Sequence, residues 1–164
     1  ADTVRGWAVF ALVSQEKDAD VDTLLALVRP AADDPHFGVR EWSWMAVRPH
    51  LVPRLDEAIG ALRQWSSEPS ERIRRFTSEV LRPHGVWARH IPVLKEEPER
   101  GLPLLEPLRA DSSRYVQDSV ANWVNDASKT QPAWAVELCR RWQKESPTPA
   151  TERIIKRALR SIRR

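Results

Sequence analysis

Apolar residues return every three or four positions through most of this chain. The clearest run is Leu55, Ala58, Ile59, Leu62 and Trp65, which share one face at helical spacing. Residues 21–27 form a second such face behind Asp20, whose short acceptor side chain suits a helix N-cap. Residues 133–142 form a third, with Pro132 placed for a first helical turn.

The remaining apolar segments repeat one another. Val4-Arg-Gly-Trp-Ala-Val-Phe-Ala-Leu aligns with Val39-Arg-Glu-Trp-Ser-Trp-Met-Ala-Val-Arg-Pro and with Ile73-Arg-Arg-Phe-Thr-Ser-Glu-Val-Leu-Arg-Pro. Val116-Gln-Asp-Ser-Val-Ala-Asn-Trp-Val-Asn-Asp and Ile155-Lys-Arg-Ala-Leu-Arg-Ser-Ile follow the same scheme. The starts lie 35, 34, 43 and 39 residues apart, and four of the five continue with a basic residue. A period near ~40 made of helix pairs predicts HEAT-like repeats. No unit buries its apolar face alone, so the units stack. The expected fold is an all-α, HEAT-like helical repeat solenoid of about five helix pairs with a concave basic face, one domain over residues 1–164. Between Pro83 and Pro103 the repeat is interrupted by prolines and by Gly85 and Gly101, which predicts a short helix plus a loop near the functional site. The chain opens inside a repeat with no polar cap before Trp7, so a further N-terminal helical segment is expected.

Composition narrows the function. Glycine is scarce at 5, and the 13 prolines fall mostly between apolar runs, as in many short helices with sharp stops. A lone Cys139 excludes an internal disulfide framework and a cysteine-based zinc site, and the four histidines lack ligand spacing, so neither metal nor cofactor is expected. No apolar run approaches the ~20 residues of a membrane span, and no signal peptide opens the chain. A cytoplasmic monomer that does not engage membrane is the expectation.

The net charge of +3 understates a local excess of cations. Arg72, Arg74, Arg75, Arg82 and Arg89 crowd one region, and Arg153, Lys156, Arg157, Arg160, Arg163 and Arg164 make a basic C-terminal run. Such clusters are the footprint of a phosphate-backbone binder, although a solvated helix face paired with glutamates reads the same way. The candidate DNA contacts are Arg40, Arg48, Arg74, Arg75, Arg82, Lys156 and Arg157. Glu79 sits among the arginines just before a Pro-His-Gly turn and Trp87, and a run ending in Asp126 brings a second carboxylate from the next repeat. Two aimed carboxylates in a basic, tryptophan-rich chain suggest an enzyme acting on an anionic polymer. Glu79 could equally be a helix-surface partner of Arg75 or Arg82, at i,i+4 and i,i+3 spacing, and Asp126 could bond local backbone. Trp65, Trp134 and Trp142 lie on amphipathic faces and are expected in the core, whereas Trp44, Trp87 and Trp123 suit core and site equally.

The runs Arg72-Ile-Arg-Arg-Phe-Thr-Ser-Glu-Val-Leu-Arg-Pro-His-Gly-Val-Trp-Ala and Asp118-Ser-Val-Ala-Asn-Trp-Val-Asn-Asp-Ala-Ser-Lys resemble the AlkC/AlkD family of HEAT-like DNA glycosylases, and the AlkC branch more closely. The resemblance spans roughly residues 36 to 162. It implies excision of cationic alkylated bases such as 3-methyladenine from double-stranded DNA by hydrolysis of the N-glycosidic bond. It makes Glu79 the catalytic carboxylate, Asp126 a second acidic residue of the site and Trp87 an aromatic facing the lesion. Trp44 and Trp123 join the lesion- or sugar-facing candidates. Trp44 stands where the AlkC branch often has glutamate, and Glu41, three residues earlier on about the same helix face, is the candidate substitute. A catalytically silent DNA-binding module and a protein–protein scaffold are the competing expectations.

Overall fold

The computed structural model describes residues 1–162. Arg163 and Arg164 of the basic C-terminal run lie outside the described residues. The order is α1 (Asp2–Gln15), α2 (Val21–Ala32), α3 (Phe37–Leu51), α4 (Leu55–Arg63), α5 (Glu71–Glu79), α6 (Pro92–Glu96), α7 (Leu102–Leu105), α8 (Arg114–Ser128), α9 (Pro132–Glu145) and α10 (Pro149–Ala158), with no strand among the described residues. The five repeat starts fall in α1, α3, α5, α8 and α10. Within this layer α1 packs on α3, α5 on α8 and α8 on α10; in the second layer α2 meets α4 and α4 meets α7. The protein is an all-α stack of HEAT-like repeats, with α1 in the first repeat position and four helix pairs after it.

Local chemistry explains the boundaries. Asp20 accepts from the Thr23 amide at 2.7 Å and caps α2, as its position predicts. Thr148 caps α10 through the Thr151 amide at 3.1 Å. The third pair is the irregular one: residues 92–108 break into two short helices, each followed by a 3-10 turn, with a proline in the first turn of each piece. Pro30 and Pro49 depart from the expected stops, because both lie inside helices, α2 and α3. Neither carries an N–H, so the fourth carbonyl before each goes without its intrahelical donor.

The second position of the three middle repeat starts has a structural use. Arg40 donates from Nη1 to the Asp34 and Pro35 carbonyls at 2.8 and 2.9 Å. Arg74 does the same to Glu68 and Pro69 at 2.9 and 2.8 Å, and its Nε and Nη2 grip Asp111 at 2.8 and 3.2 Å. Gln117 donates to the Asp111 carbonyl at 2.7 Å. A long donor here ties the turn to the helix that it enters, and an amide serves as well as a guanidinium. That accounts for glutamine at the one non-basic repeat start.

Candidate active site

Three helices of one layer build a row of alternating charges. Helical spacing sets Arg75 one turn before Glu79 at the end of α5, and Arg82 follows in the turn after it. Arg75 Nη2 lies 3.2 Å from Glu79 Oε2, and Arg82 Nη1 lies 2.9 Å from Oε1. Both pairings foreseen from spacing therefore form at once. Arg82 continues to α8, donating from Nε and Nη2 to the two oxygens of Asp126 at 2.9 and 3.1 Å. Arg75 continues to α3, donating from Nη1 to Glu41 Oε2 at 2.6 Å. The row reads Asp126, Arg82, Glu79, Arg75, Glu41, and it ends on Trp44, whose indole N–H donates to Glu41 Oε2 at 2.8 Å.

Small residues let α5 and α8 close on each other. Ser78 and Ser119 hydroxyls meet at 2.8 Å, and Ser119 reaches Glu79 Oε2 at 3.5 Å. Tyr115, one turn before Ser119 on α8, lies under the Arg75 guanidinium at 4.7 Å and the Arg40 guanidinium at 5.3 Å, and its hydroxyl accepts from Arg40 Nε at 3.1 Å. Neither Tyr115 nor Ser119 stood out in sequence, where a tyrosine and a serine on a helix carry no periodic signal.

Neighbouring carboxylates, working against burial, decide the charge states of the guanidinia. Burial pulls the Arg82 pKa down, but the Asp126 hydrogen bonds and the Glu79 charge outweigh it and lift the value above the ordinary one. The same balance, burial against Glu79 and Glu41, lifts Arg75. Both remain cations at every working pH. The carboxylates differ in access: the Glu79 and Asp126 side chains are 3% and 4% exposed, whereas Glu41 is 21% exposed. Glu41 is the carboxylate of the row that reaches solvent.

The tryptophans separate. Trp87 is 91% exposed on the loop after α5, with φ of 60°. With Phe10, Met45 and Pro49 it lines a groove of about 640 Å³. Trp123 is wholly buried, its ring against Gly101 and 6.3 Å from the Trp134 ring, so it is a core residue and not a sugar-facing one. Trp44 is likewise buried, and its link to the row is the single N–H bond to Glu41.

The arginines separate too. Arg75 and Arg82 belong to the row. Arg40 and Arg74 spend their donors on turns, as described above. Arg48 is 2% exposed and donates to the Val80 and Arg89 carbonyls at 3.1 and 2.7 Å, which removes it from any phosphate. Lys156 is exposed on α10, Arg157 is half-buried beside Asp118 at 3.1 Å, and Arg160 donates to the Asn122 side chain at 2.9 Å. No cluster of three or more His, Cys, Asp or Glu side chains suited to a metal occurs among the described residues.

No family model matches the chain. It is 42% identical to the uncharacterized protein YhaZ of Bacillus subtilis over 120 residues, which are 73% of this chain and 33% of YhaZ. Its fold matches that of Pseudomonas fluorescens alkylpurine DNA glycosylase AlkC bound to DNA containing an abasic site analog, with a TM-score of 0.74 and 28% identity over 96% of this chain and 43% of AlkC. It also matches AlkD2 from Streptococcus mutans, with a TM-score of 0.73 and 25% identity over 95% of this chain and 72% of AlkD2. The chain belongs to the AlkC/AlkD family. It spans about a third of the length of YhaZ and less than half of AlkC. AlkC/AlkD proteins are DNA-repair glycosylases at the level of the family. In this AlkC/AlkD chain the row of charges lies on the layer formed by the repeat-start helices, and no described helix is long and apolar enough to cross a membrane.

Proposed function

We propose that this chain hydrolyses the N-glycosidic bond of cationic alkylated bases, 3-methyladenine foremost, in double-stranded DNA. The observation that carries the reading is the charged row, which brings carboxylates from three successive repeats together through two arginines. A buried row of ions costs several kcal/mol of desolvation per charge, and apolar residues of like volume commonly give equal or better stability. Buried charges held by specific charged partners cluster at functional sites.

An N-alkylated purine is cationic, so its glycosidic bond breaks with little help from an acid. The bonding electron pair leaves with the base, which departs neutral, and the sugar becomes oxocarbenium-like. Carboxylates stabilise that cation. Glu79 and Asp126, shut behind arginines, act through their field in a low-dielectric setting. Glu41, partly exposed and one guanidinium away, makes the contact. A water held by Glu41 adds to C1′ and its proton passes to solvent through the carboxylate. Lys156, Arg157 and Arg160 are placed for flanking phosphates, which position the duplex without reading its sequence. Trp87 offers a flat face to the lesion or its sugar. The whole domain acts as a monomer.

A second reading, a DNA-binding module without catalysis, is favoured by the near-complete burial of Glu79 and Asp126. One assay separates the two: release of free base from methylated duplex DNA, by wild type and by Glu79→Gln. Binding without release from wild type identifies the module. Release that falls on the order of 10²–10³ in the variant identifies the enzyme.

A further inference from the structure

We infer that Arg48 is a positioning residue that clamps the loop of residues 83–91 and so fixes the presentation of Trp87. Its effect on catalysis rests on the proposed glycosylase reading; the clamp itself does not. Arg48 comes from the end of α3 and passes beneath the loop. Its Nη1 holds the Val80 carbonyl at the end of α5, three residues before the loop, and its Nη2 holds the Arg89 carbonyl near where the loop ends. One planar guanidinium therefore pins both sides of the loop.

Gly85 is what lets the guanidinium in. A Cβ on Gly85 would lie 2.8 Å from Arg48 Cζ and 3.0 Å from each of its terminal nitrogens. Between the two pinned carbonyls sits Trp87 in the left-handed region at φ 60°, a strained conformation for a non-glycine residue that persists only where its surroundings impose it. The ring itself is 91% exposed, so its own packing does not impose it. The bonds within the loop are few: Ala88 N–H to Gly85 at 3.3 Å and Ile91 N–H to Pro83 at 3.0 Å.

The loop also touches the row, because the His84 amide donates to Asp126 Oδ2 at 3.4 Å. Arg48 thus ties to α3 a loop whose first turn already leans on a site carboxylate. Arg82 repels its charge, and Asp126 and Glu79 attract it. Burial, then that repulsion, brings its pKa down to about 10, still a cation at neutral pH.

The test uses Arg48→Lys, which keeps the charge but cannot span two carbonyls, and Gly85→Ala, which keeps Arg48 and drives it from the loop. Amide hydrogen exchange is measured across the loop, with α8 as the internal reference, alongside single-turnover release of 3-methyladenine and duplex affinity. The expected result in each variant is loop exchange faster by at least about tenfold with α8 unchanged. Base release should fall on the order of 10²-fold, because a misplaced group costs about that much, while duplex affinity stays within about threefold. Unchanged loop exchange in both variants overturns the clamp. Faster loop exchange with wild-type release overturns the positioning role. Duplex affinity lost in step with release shows instead that Arg48 serves binding. A wild type that releases no base overturns the glycosylase reading, and exchange alone then decides the clamp. Should Arg48→Lys not fold, Gly85→Ala carries the same comparison.

Discussion

At the scale of single residues, Glu79 shows why a carboxylate among arginines is ambiguous in sequence. It forms the i,i+4 pair with Arg75 and the i,i+3 pair with Arg82, yet it is 3% exposed, so these are not the weak surface pairs that such spacing usually implies. Glu79→Gln keeps its volume and one acceptor but leaves two buried guanidinia short of a charge. It should fold, lose about 1.5–3 kcal/mol in urea unfolding and lose base release as stated above. An unchanged urea midpoint would mean that the arginines find other partners. Trp44 carries a second prediction. Reintroducing the acidic residue of the AlkC branch as Trp44→Glu would empty a core site and set one carboxylate against Glu41. A loss of about 3–5 kcal/mol is expected, the range for truncating a buried tryptophan. Trp44→Phe, which keeps most of the bulk and drops only the N–H to Glu41, should cost about 0.5–1.5 kcal/mol. If both variants unfold at the same denaturant concentration, the buried charge is not what matters.

Among the elements, the irregular third repeat does the most. Prolines divide residues 92–108 into short pieces, and Gly101 at one junction leaves room for the Trp123 ring of α8. A Cβ on Gly101 would sit 2.2 Å from that ring, and the ring is wholly buried with nowhere to swing. Gly101→Ala should therefore cost about 1–3 kcal/mol through overpacking, seen as a lower melting temperature. Gly60→Ala is the control: nothing lies within 4 Å of its Cβ, and it sits mid-helix in α4. There alanine should stabilise by about 0.5–1 kcal/mol. Equal melting temperatures for the two would refute this account of the Gly101–Trp123 contact.

For the whole molecule, the distribution of cations governs how it would meet a duplex. Arginines counted as phosphate ligands in sequence are divided among turns, the charged row and the Trp87 loop, which leaves from that set Lys156 and, beside Asp118, Arg157 on α10. Lys156→Ala and Arg157→Ala should each reduce the salt dependence of duplex binding by about 0.9 in the log–log slope, alike for every sequence. Arg74→Ala should leave that slope unchanged and instead lower stability, because it strands Asp111 and two turn carbonyls. A slope that drops for Arg74→Ala and not for the α10 variants would reverse the assignment.

The helices and their repeat were legible because they depend on short-range facts. Apolar spacing, Asp20 before α2 and prolines at the breaks act within one or two turns, and the five repeat starts all fall in the helices of one layer. Glu79 and Asp126 were legible as carboxylates of neighbouring repeats, but they stand six and ten residues after their repeat starts, and it is Arg82 that joins them. What sequence alone could not assign was the use of each cation and each indole. Arg48 and Arg75 look alike in the chain, and so do Trp87 and Trp123. Whether a guanidinium meets a carboxylate, a carbonyl or water depends on which helix packs across from it. Whether an indole is core or surface depends on a partner such as Gly101, 22 residues away in the chain. Those are contacts between elements, and only the stacking of the repeats decides them.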